Sequence, residues 1–462
     1  MKQLRAGDEM SEDYASLEGF ILEKMREAKV PGLSISIVAD GRTEYERGFG
    51  FRDILSGLPA TPRTLYGIGS VTKSFTALAV MQLVEEGKIG LDDPVDKYVP
   101  TVPKPFGESP RIRHLLTHTS GLPALGYAEA FGGGFTGSDD AWLPVCSPED
   151  VITFMQDAQD WAVCRPGEAY FYLNEGYVLL GYIISKLART SYEEYVQQKI
   201  LRPLRMERTF FTKMDVDKEN DRATPYIIDR EGKHIPSNFP YGINPDGGLV
   251  SNVIDLTKYI EMCIGRGEFE GKRLVAKKTF EAIEEPRINL PYEYFGNEAY
   301  GFGWRITPDF YKYKLVGHGG SVDVHTAYVG YIPERRIGVA VLANPSNYSL
   351  SQIGMYAIAQ LIGIDPKSLP FVKKDNILNK LQGQYETYKG TIKVNIKKSG
   401  DLLIAEFKDK YRENMVPLIP EKLEEDRALF FTISDGAKVP SEFHIGKEKT
   451  EWIYERYKAL KK

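Results

Sequence analysis

Cysteine is scarce. Its three residues in 462, Cys146, Cys164 and Cys263, are spaced too irregularly for a disulfide framework or a zinc ribbon. Core thiols are the expected reading, with a Cys146 to Cys164 bridge as the alternative. An excess of charge of one sign is also lacking: a net charge of -5 with 27% charged residues gives no reason to expect nucleic acid or an anionic membrane as partner. No apolar run reaches bilayer-spanning length, and Met1 to Tyr14 is polar, without the apolar core of a signal peptide. The expected location is therefore cytoplasmic. Gly126 to Asp140 contains Gly132-Gly133-Gly134 but no Gly-Lys-Ser/Thr ending, which argues against a phosphate cradle and leaves a mobile loop near a cleft, or plain surface chain. His114 and His118 stand four apart without the glutamate of His-Glu-x-x-His, so structural histidines are expected. No metal and no cofactor is expected.

What is present centres on Gly67-Ile68-Gly69-Ser70-Val71-Thr72-Lys73. From Thr72 to Glu86 the apolar residues Phe75, Leu78, Ala79, Leu83 and Val84 recur at helical spacing, and Gly87 supplies the stop. Ser70 and Lys73 then share a helix face at its first turn, bringing a hydroxyl within reach of an amine. A serine hydroxyl needs such a base to attack a carbonyl at neutral pH. The N–H groups of a helix start can stabilise an oxyanion. Further on, Phe171-Tyr172-Leu173-Asn174 follows the turn Pro166-Gly167 and precedes a helix carrying Tyr177, Leu180, Gly181, Ile184 and Leu187. A phenol at that loop end can relay a proton, and Asn174 can hold a substrate carbonyl or orient the lysine amine. Gly317-His318-Gly319-Gly320-Ser321 reads as a turn whose glycines admit a ligand close to the backbone. There Ser321 N–H would be a second oxyanion donor, and His318 would bind a carboxylate or polarise a leaving group.

The spacing predicts a helix from about Ser11 to Ala28, then strands Gly32 to Ala39 and Thr43 to Phe51 joined at Asp40-Gly41. Short helices follow at Asp92 to Tyr98, Ile112 to Thr117 and Pro148 to Gln156. Asn244 to Leu249 is a turn cluster, and Asn252 with Asp255 caps a helix over Val253 to Ile264. Strands are expected at Gly301 to Ile306, Lys312 to Val316, Thr326 to Ile332 and Ile337 to Ala343, with a closing helix from Ser349 to Ile362. One sheet built from both ends, with a helical subdomain over roughly 88–250 inserted, accounts for this order. Residues 365–374 read as a linker, and 375–462 as a small antiparallel barrel or sandwich with short alternating strands at Thr391 to Ile396, Leu402 to Phe407, Leu429 to Ile433, Glu442 to Ile445 and Trp452 to Tyr457.

In order, Ser70-x-x-Lys73, Tyr172-x-Asn174 and His318-x-Gly320 resemble the penicillin-recognising serine hydrolases. The likeness is greatest to class C β-lactamase-like proteins, a group holding D-aminopeptidases, DD-peptidases and family VIII esterases. Leu115 to Pro123, Gly181 to Ile184 and Tyr300 to Trp304 support it. The resemblance implies an α+β fold: a β-lactamase-like domain over 1–364, with an antiparallel sheet flanked by helices plus the helical subdomain, followed by the small barrel. It implies Ser70 as acylated nucleophile, Lys73 as proton acceptor, Tyr172 as general acid/base and Asn174 as a substrate-positioning group. The N–H groups of Ser70 and Ser321 would form the oxyanion hole, with His318, Gly319 and Gly320 along the substrate. β-Lactamases of this type usually carry Lys-Thr-Gly where this chain has His318-Gly319-Gly320. The His-x-Gly form is similar to D-aminopeptidases and to a self-compartmentalising archaeal serine peptidase, which the tail also resembles through its lipocalin-like layout. That likeness implies a homo-oligomer, with an octamer as the form it suggests.

The expected function is cleavage of amide bonds in short peptides, D-residues included. A carboxylesterase or β-lactamase-like hydrolase is the alternative, and a non-enzymatic penicillin-binding-type receptor stands behind both.

Overall fold

The computed structural model describes residues 14–138, 140, 143–345 and 348–462. The chain forms two compact units, Met1–Gly363 and Ile364–Lys462. In the first, helix α1 (Ala15–Glu27) buries Leu17, Phe20, Ile21 and Met25; its expected start near Ser11 lies outside the described residues. Strands β1 (Gly32–Ala39) and β2 (Arg42–Asp53) form the expected hairpin. Asp40 and Gly41 both take positive φ, 50° and 75°, as a tight two-residue connection between twisted strands requires.

These strands join β3 (Leu58–Pro59), β4 (Ile288–Asn289), β5 (Ala299–Tyr300), β6 (Arg305–Phe310), β7 (Tyr313–Ser321), β8 (Thr326–Ile332) and β9 (Ile337–Ala343) in one sheet. Its order is β4-β5-β6-β7-β8-β9-β1-β2-β3. Antiparallel pairing sets Leu33 opposite Ala343, so the sheet draws on both ends of the unit. Every residue of β9 is buried. The reason is that helices cover both faces. Gly338 meets Ile260 of α5 (Val253–Ile264), whereas the adjacent Val339 meets Gly354 of α6 (Leu350–Leu361). Successive strand residues point to opposite faces. As expected, Asn252 caps α5, its Oδ1 accepting from the N–H groups of Ile254 and Asp255 at 3.0 and 3.1 Å.

The inserted helices include α2 (Thr72–Glu85), α3 (Tyr127–Thr136) and α4 (Asn174–Ala188). α2 is buried on all sides from Thr72 to Leu83, the interior helix of the unit. α3 lies in the stretch expected as a loop. Gly126 and Gly137 bracket it in left-handed conformation, while Tyr127 and Phe131 are buried, and that anchoring outweighs the poor helix propensity of the glycine triplet. Asp92 to Tyr98 holds only a 3-10 turn, Val95–Lys97. There Asp93 accepts from Gly90 N–H, Lys97 and the Tyr98 hydroxyl, and these side-chain bonds replace a helical ladder. Of the strand expected over Gly301 to Ile306 only Arg305 and Ile306 are strand; residues 301–304 connect β5 to β6, and there Gly303 (φ 72°) packs against Lys73 and Ala77 of α2. Cys146 is exposed, Cys164 half-buried and Cys263 buried; all three are free, so no bridge joins Cys146 to Cys164.

The second unit is a closed antiparallel barrel of eight strands: β10 (Gly383–Glu386), β11 (Lys393–Ser399), β12 (Leu402–Lys408), β13 (Glu413–Leu423), β14 (Arg427–Ser434), β15 (Ala437–Ile445), β16 (Thr450–Tyr454) and β17 (Tyr457–Lys461). Closure comes from β10 against β17, Tyr385 opposite Lys461. Inward residues alternate along each strand, with Val394, Ile396, Leu403, Ala405, Phe430, Phe443 and Trp452 in the core. The linker expected at 365–374 is instead largely ordered: helix α7 (Pro370–Leu381) starts there, with Pro370 at a first helical turn that needs no N–H donor, and sends Ile377, Leu378 and Leu381 into the barrel core.

Candidate active site

Strand β7 continues past its partner β6, whose last pair is Arg305 opposite Gly317. His318 to Ser321 therefore keep β8 on one side only. The stretch expected as a turn is the end of a strand. Two missing side chains let the 3-10 turn Gly69–Val71 approach this end. A Cβ on Gly320 would stand 1.9 Å from Ile68 O and 3.0 Å from Ser70 N, and one on Gly69 (φ 50°) would stand 2.6 Å from Ser321 N. The backbone nitrogens of Ser70 and Ser321 are thus neighbours on one wall of a cleft of about 700 Å³, which Ser70, Tyr172, Asn174 and His318 to Ser321 also line.

One helical turn beyond Ser70, Lys73 is fully buried. Its Nζ donates to Ser70 Oγ at 3.0 Å, Asn174 Oδ1 at 2.8 Å and the Asp246 carbonyl at 2.7 Å. An ammonium has three donors, and here each has an acceptor. Because the lysine can only donate, the Asn174 oxygen faces it and the amide NH2 is left toward the cleft. Above, Lys73 Nζ lies 4.9 Å from the centre of the Tyr172 ring. The Tyr172 hydroxyl is buried and finds no hydrogen-bond partner among the described residues.

His318 sits between two fixed groups. Nδ1 faces the Gly319 carbonyl at 2.6 Å and Nε2 the Tyr300 hydroxyl at 2.8 Å. A carbonyl only accepts, so Nδ1 carries the proton and Nε2 accepts from Tyr300. Burial, and then the Lys73 charge, push this imidazole down to about 3. His318 is therefore neutral at physiological pH and supplies no positive charge for a substrate carboxylate.

Three groups were missed by sequence reasoning. His118, in left-handed conformation (φ 56°), stacks on Tyr172 with centroids 4.1 Å apart, and its Nδ1 accepts from Leu173 N–H at 3.0 Å. Tyr300 fixes His318. Asp246 supplies the Lys73 acceptor. The blocks Leu115 to Pro123 and Tyr300 to Trp304 and the turn cluster Asn244 to Leu249 contain all three without pointing to these contacts.

Residues 17–360 match the family model described as Beta-lactamase. The chain belongs to this family. Its members are serine hydrolases. Residues 366–460 of this family member match a second model, the Pab87 octamerisation domain. The octameric penicillin-binding protein homologue from Pyrococcus abyssi is 52% identical, with a TM-score of 0.93 over 97% of this chain and 100% of its own. Protein flp of Staphylococcus aureus (strain COL) is 27% identical over 76% of this chain and 67% of its own length. A D-stereospecific amidohydrolase from Streptomyces sp. shares the fold, with a TM-score of 0.62 at 24% identity over 75% of this chain and 98% of its own. Among the described residues, no helix is long and apolar enough to cross a membrane.

The buried imidazoles carry a pH consequence. Burial holds His114 at about 4, His318 and His325 at about 3, and His118 well below 6.5. Unfolded, each titrates near 6.5. The stability from keeping them neutral is thus complete above about 6.5 and is lost as pH falls toward the folded values. Glu175, pushed up to about 7 by burial, works in the opposite sense, as do the raised carboxyls of Asp246, Glu261 and Asp323. The imidazoles, with His318 and His325 held at about 3 and His114 at about 4, lose more stability between pH 7 and pH 5 than these carboxyls return. We expect the melting temperature to fall between pH 7 and pH 5; an unchanged or higher value at pH 5 contradicts this balance.

Proposed function

We propose that the protein is a Ser-x-x-Lys serine peptidase, cleaving amide bonds of short peptides, D-residues among them, through an acyl-enzyme on Ser70. The observation that carries this reading is Lys73 Nζ, fully buried and 3.0 Å from Ser70 Oγ, beneath a tyrosine hydroxyl with no partner. Ser70 Oγ attacks the carbonyl carbon as its proton passes to Lys73 in its neutral form, whose two N–H groups face Asn174 Oδ1 and the Asp246 carbonyl and whose lone pair faces Ser70 Oγ. The carbonyl electron pair moves onto oxygen, facing the N–H groups of Ser70 and Ser321. Collapse breaks the C–N bond, and the leaving nitrogen takes a proton through Tyr172. Water then enters by the reverse proton path and releases the acid. Asn174 orients the lysine, and its NH2 is turned to the substrate. The end of β7 without a neighbour beyond Gly317 offers backbone groups to an extended peptide.

Neutral His318 favours a peptide over a β-lactam, whose carboxylate would meet no charge there. The same acyl chemistry cleaves esters, so parallel rates on peptide p-nitroanilides and p-nitrophenyl esters test the reading. Turnover of anilides supports a peptidase; turnover of esters alone makes the protein an esterase, and turnover of neither a receptor.

The tail supports a homo-oligomer, specifically an octamer, because residues 366–460 match an octamerisation domain and the Pyrococcus relative is described as octameric. Light scattering should give a mass about eight times the 52.1 kDa chain. Removal of residues 364–462 should lower the subunit number. A full-length monomer, or an unchanged subunit number after removal, contradicts this role.

A further inference from the structure

The cleft forks at Ser70. One arm, holding Tyr172 and His318, is the larger cleft already described. The other is a recess of about 270 Å³ that shares Ser70, Glu129, Asn174 and Ser321 with it but not Tyr172. Acidic residues line this second arm. Glu129 of α3 and Asp323, just past β7, stand exposed at its mouth. Asp246 is in its floor, 6% exposed, and its Oδ1 is buried with no hydrogen-bond partner among the described residues. Among the described residues no lysine or arginine lines the recess, and Lys73 behind its floor donates to the Asp246 backbone carbonyl. Burial raises the Asp246 and Asp323 carboxyls and the negative charge of Glu129 adds to both, while the Lys73 charge and a hydrogen bond from Tyr127 oppose this at Asp246. At the mouth Glu129 and Asp323 repel one another, and among the described residues no ion pair offsets either.

The direction of the substrate follows from the proposed proton path, on which this inference rests. The leaving nitrogen must face Tyr172, so it lies in the larger arm, and the acyl portion must extend the other way. We propose that the acidic recess binds a primary ammonium group on the acyl portion of the substrate. The group is the free α-amine of an N-terminal residue or the side-chain amine of a lysine-like residue. The enzyme thereby selects peptides with a positive charge beside the cleaved bond.

Three p-nitroanilides test this on the full-length protein: alanine with a free amine, N-acetylalanine and N-acetyllysine, each as both enantiomers. A charge-assisted contact should raise kcat/KM of a charged substrate over N-acetylalanine by about tenfold to a hundredfold. A gain for free alanine assigns the α-ammonium, and a gain for N-acetyllysine assigns the side-chain ammonium. Glu129→Gln, at an exposed position, and Asp323→Asn should each reduce that ratio several-fold. If Asp323→Asn does not fold, Glu129→Gln alone decides. Equal rates on charged and acetylated substrates, or a ratio unmoved by Glu129→Gln, overturn the inference. Fluorophosphonate labelling of the unaltered protein separates the failures: labelling without charge preference removes only the ammonium site, whereas absence of labelling removes the nucleophile reading beneath it.

Discussion

Ser70→Ala is expected to lower turnover on the order of 10⁴-fold or more while leaving the fold intact. The hydroxyl is half-buried at the start of a 3-10 turn, and the bond its side chain makes is to Lys73. Without it Lys73 keeps two of its three acceptors, Asn174 Oδ1 and the Asp246 carbonyl, and loses one. The stability change should be within about 1 kcal/mol, the net worth of one ordinary hydrogen bond. Rates on the best anilide, with melting curves of both proteins, check this. Near-normal turnover in the variant would remove Ser70 from the mechanism.

Lys73→Ala should be as severe for turnover and far worse for stability. The change removes the proton acceptor of Ser70 and at once leaves Asn174 Oδ1 and the Asp246 carbonyl without a donor. It also takes away the positive charge that opposes burial at the Asp246 carboxyl. Each stranded acceptor costs about 1–3 kcal/mol, so melting should drop sharply although only one side chain is shortened. Lys73→Arg should not rescue activity, because a guanidinium does not give up its proton in the working pH range. Tyr172→Phe is expected to lose about 10²-fold to 10⁴-fold, the usual share of one proton-transfer group, with little change in stability since its hydroxyl has no partner to lose. If Lys73→Ala kept full stability, the three-acceptor seat of the lysine would not hold in solution.

The contrast between these variants shows what local spacing can and cannot reveal. Ser70 and Lys73 were readable because one helical turn joins them, and Tyr172 with Asn174 because a loop end meets a helix start. The groups that seat them were not readable. The Asp246 carbonyl reaches Lys73 from 173 residues away, and His118 meets Leu173 N–H across 55, with no periodicity tying either pair. The glycines beside His318 suggested a turn, yet they mark the opposite: a strand stripped of side chains so that the Ser70 turn can press against it. That His318 is neutral was not readable either, because burial and a nearby lysine are properties of the assembled site. In the barrel, strand β13 went unread; its Pro417 and Pro420 lack N–H donors, but both lie paired within it, and the register shifts just after Pro420. The short strands β10 and β17 were missed as well, and their pairing closes the barrel.

The central claim is that Ser70 is an activated nucleophile. Its most direct test is incubation of the full-length protein with a fluorophosphonate, followed by proteolysis and mass analysis of the labelled peptide. The account predicts a single adduct on Ser70, lost in Ser70→Ala and strongly slowed in Lys73→Ala. An unlabelled protein, or an adduct on another serine that persists in Ser70→Ala, would contradict it.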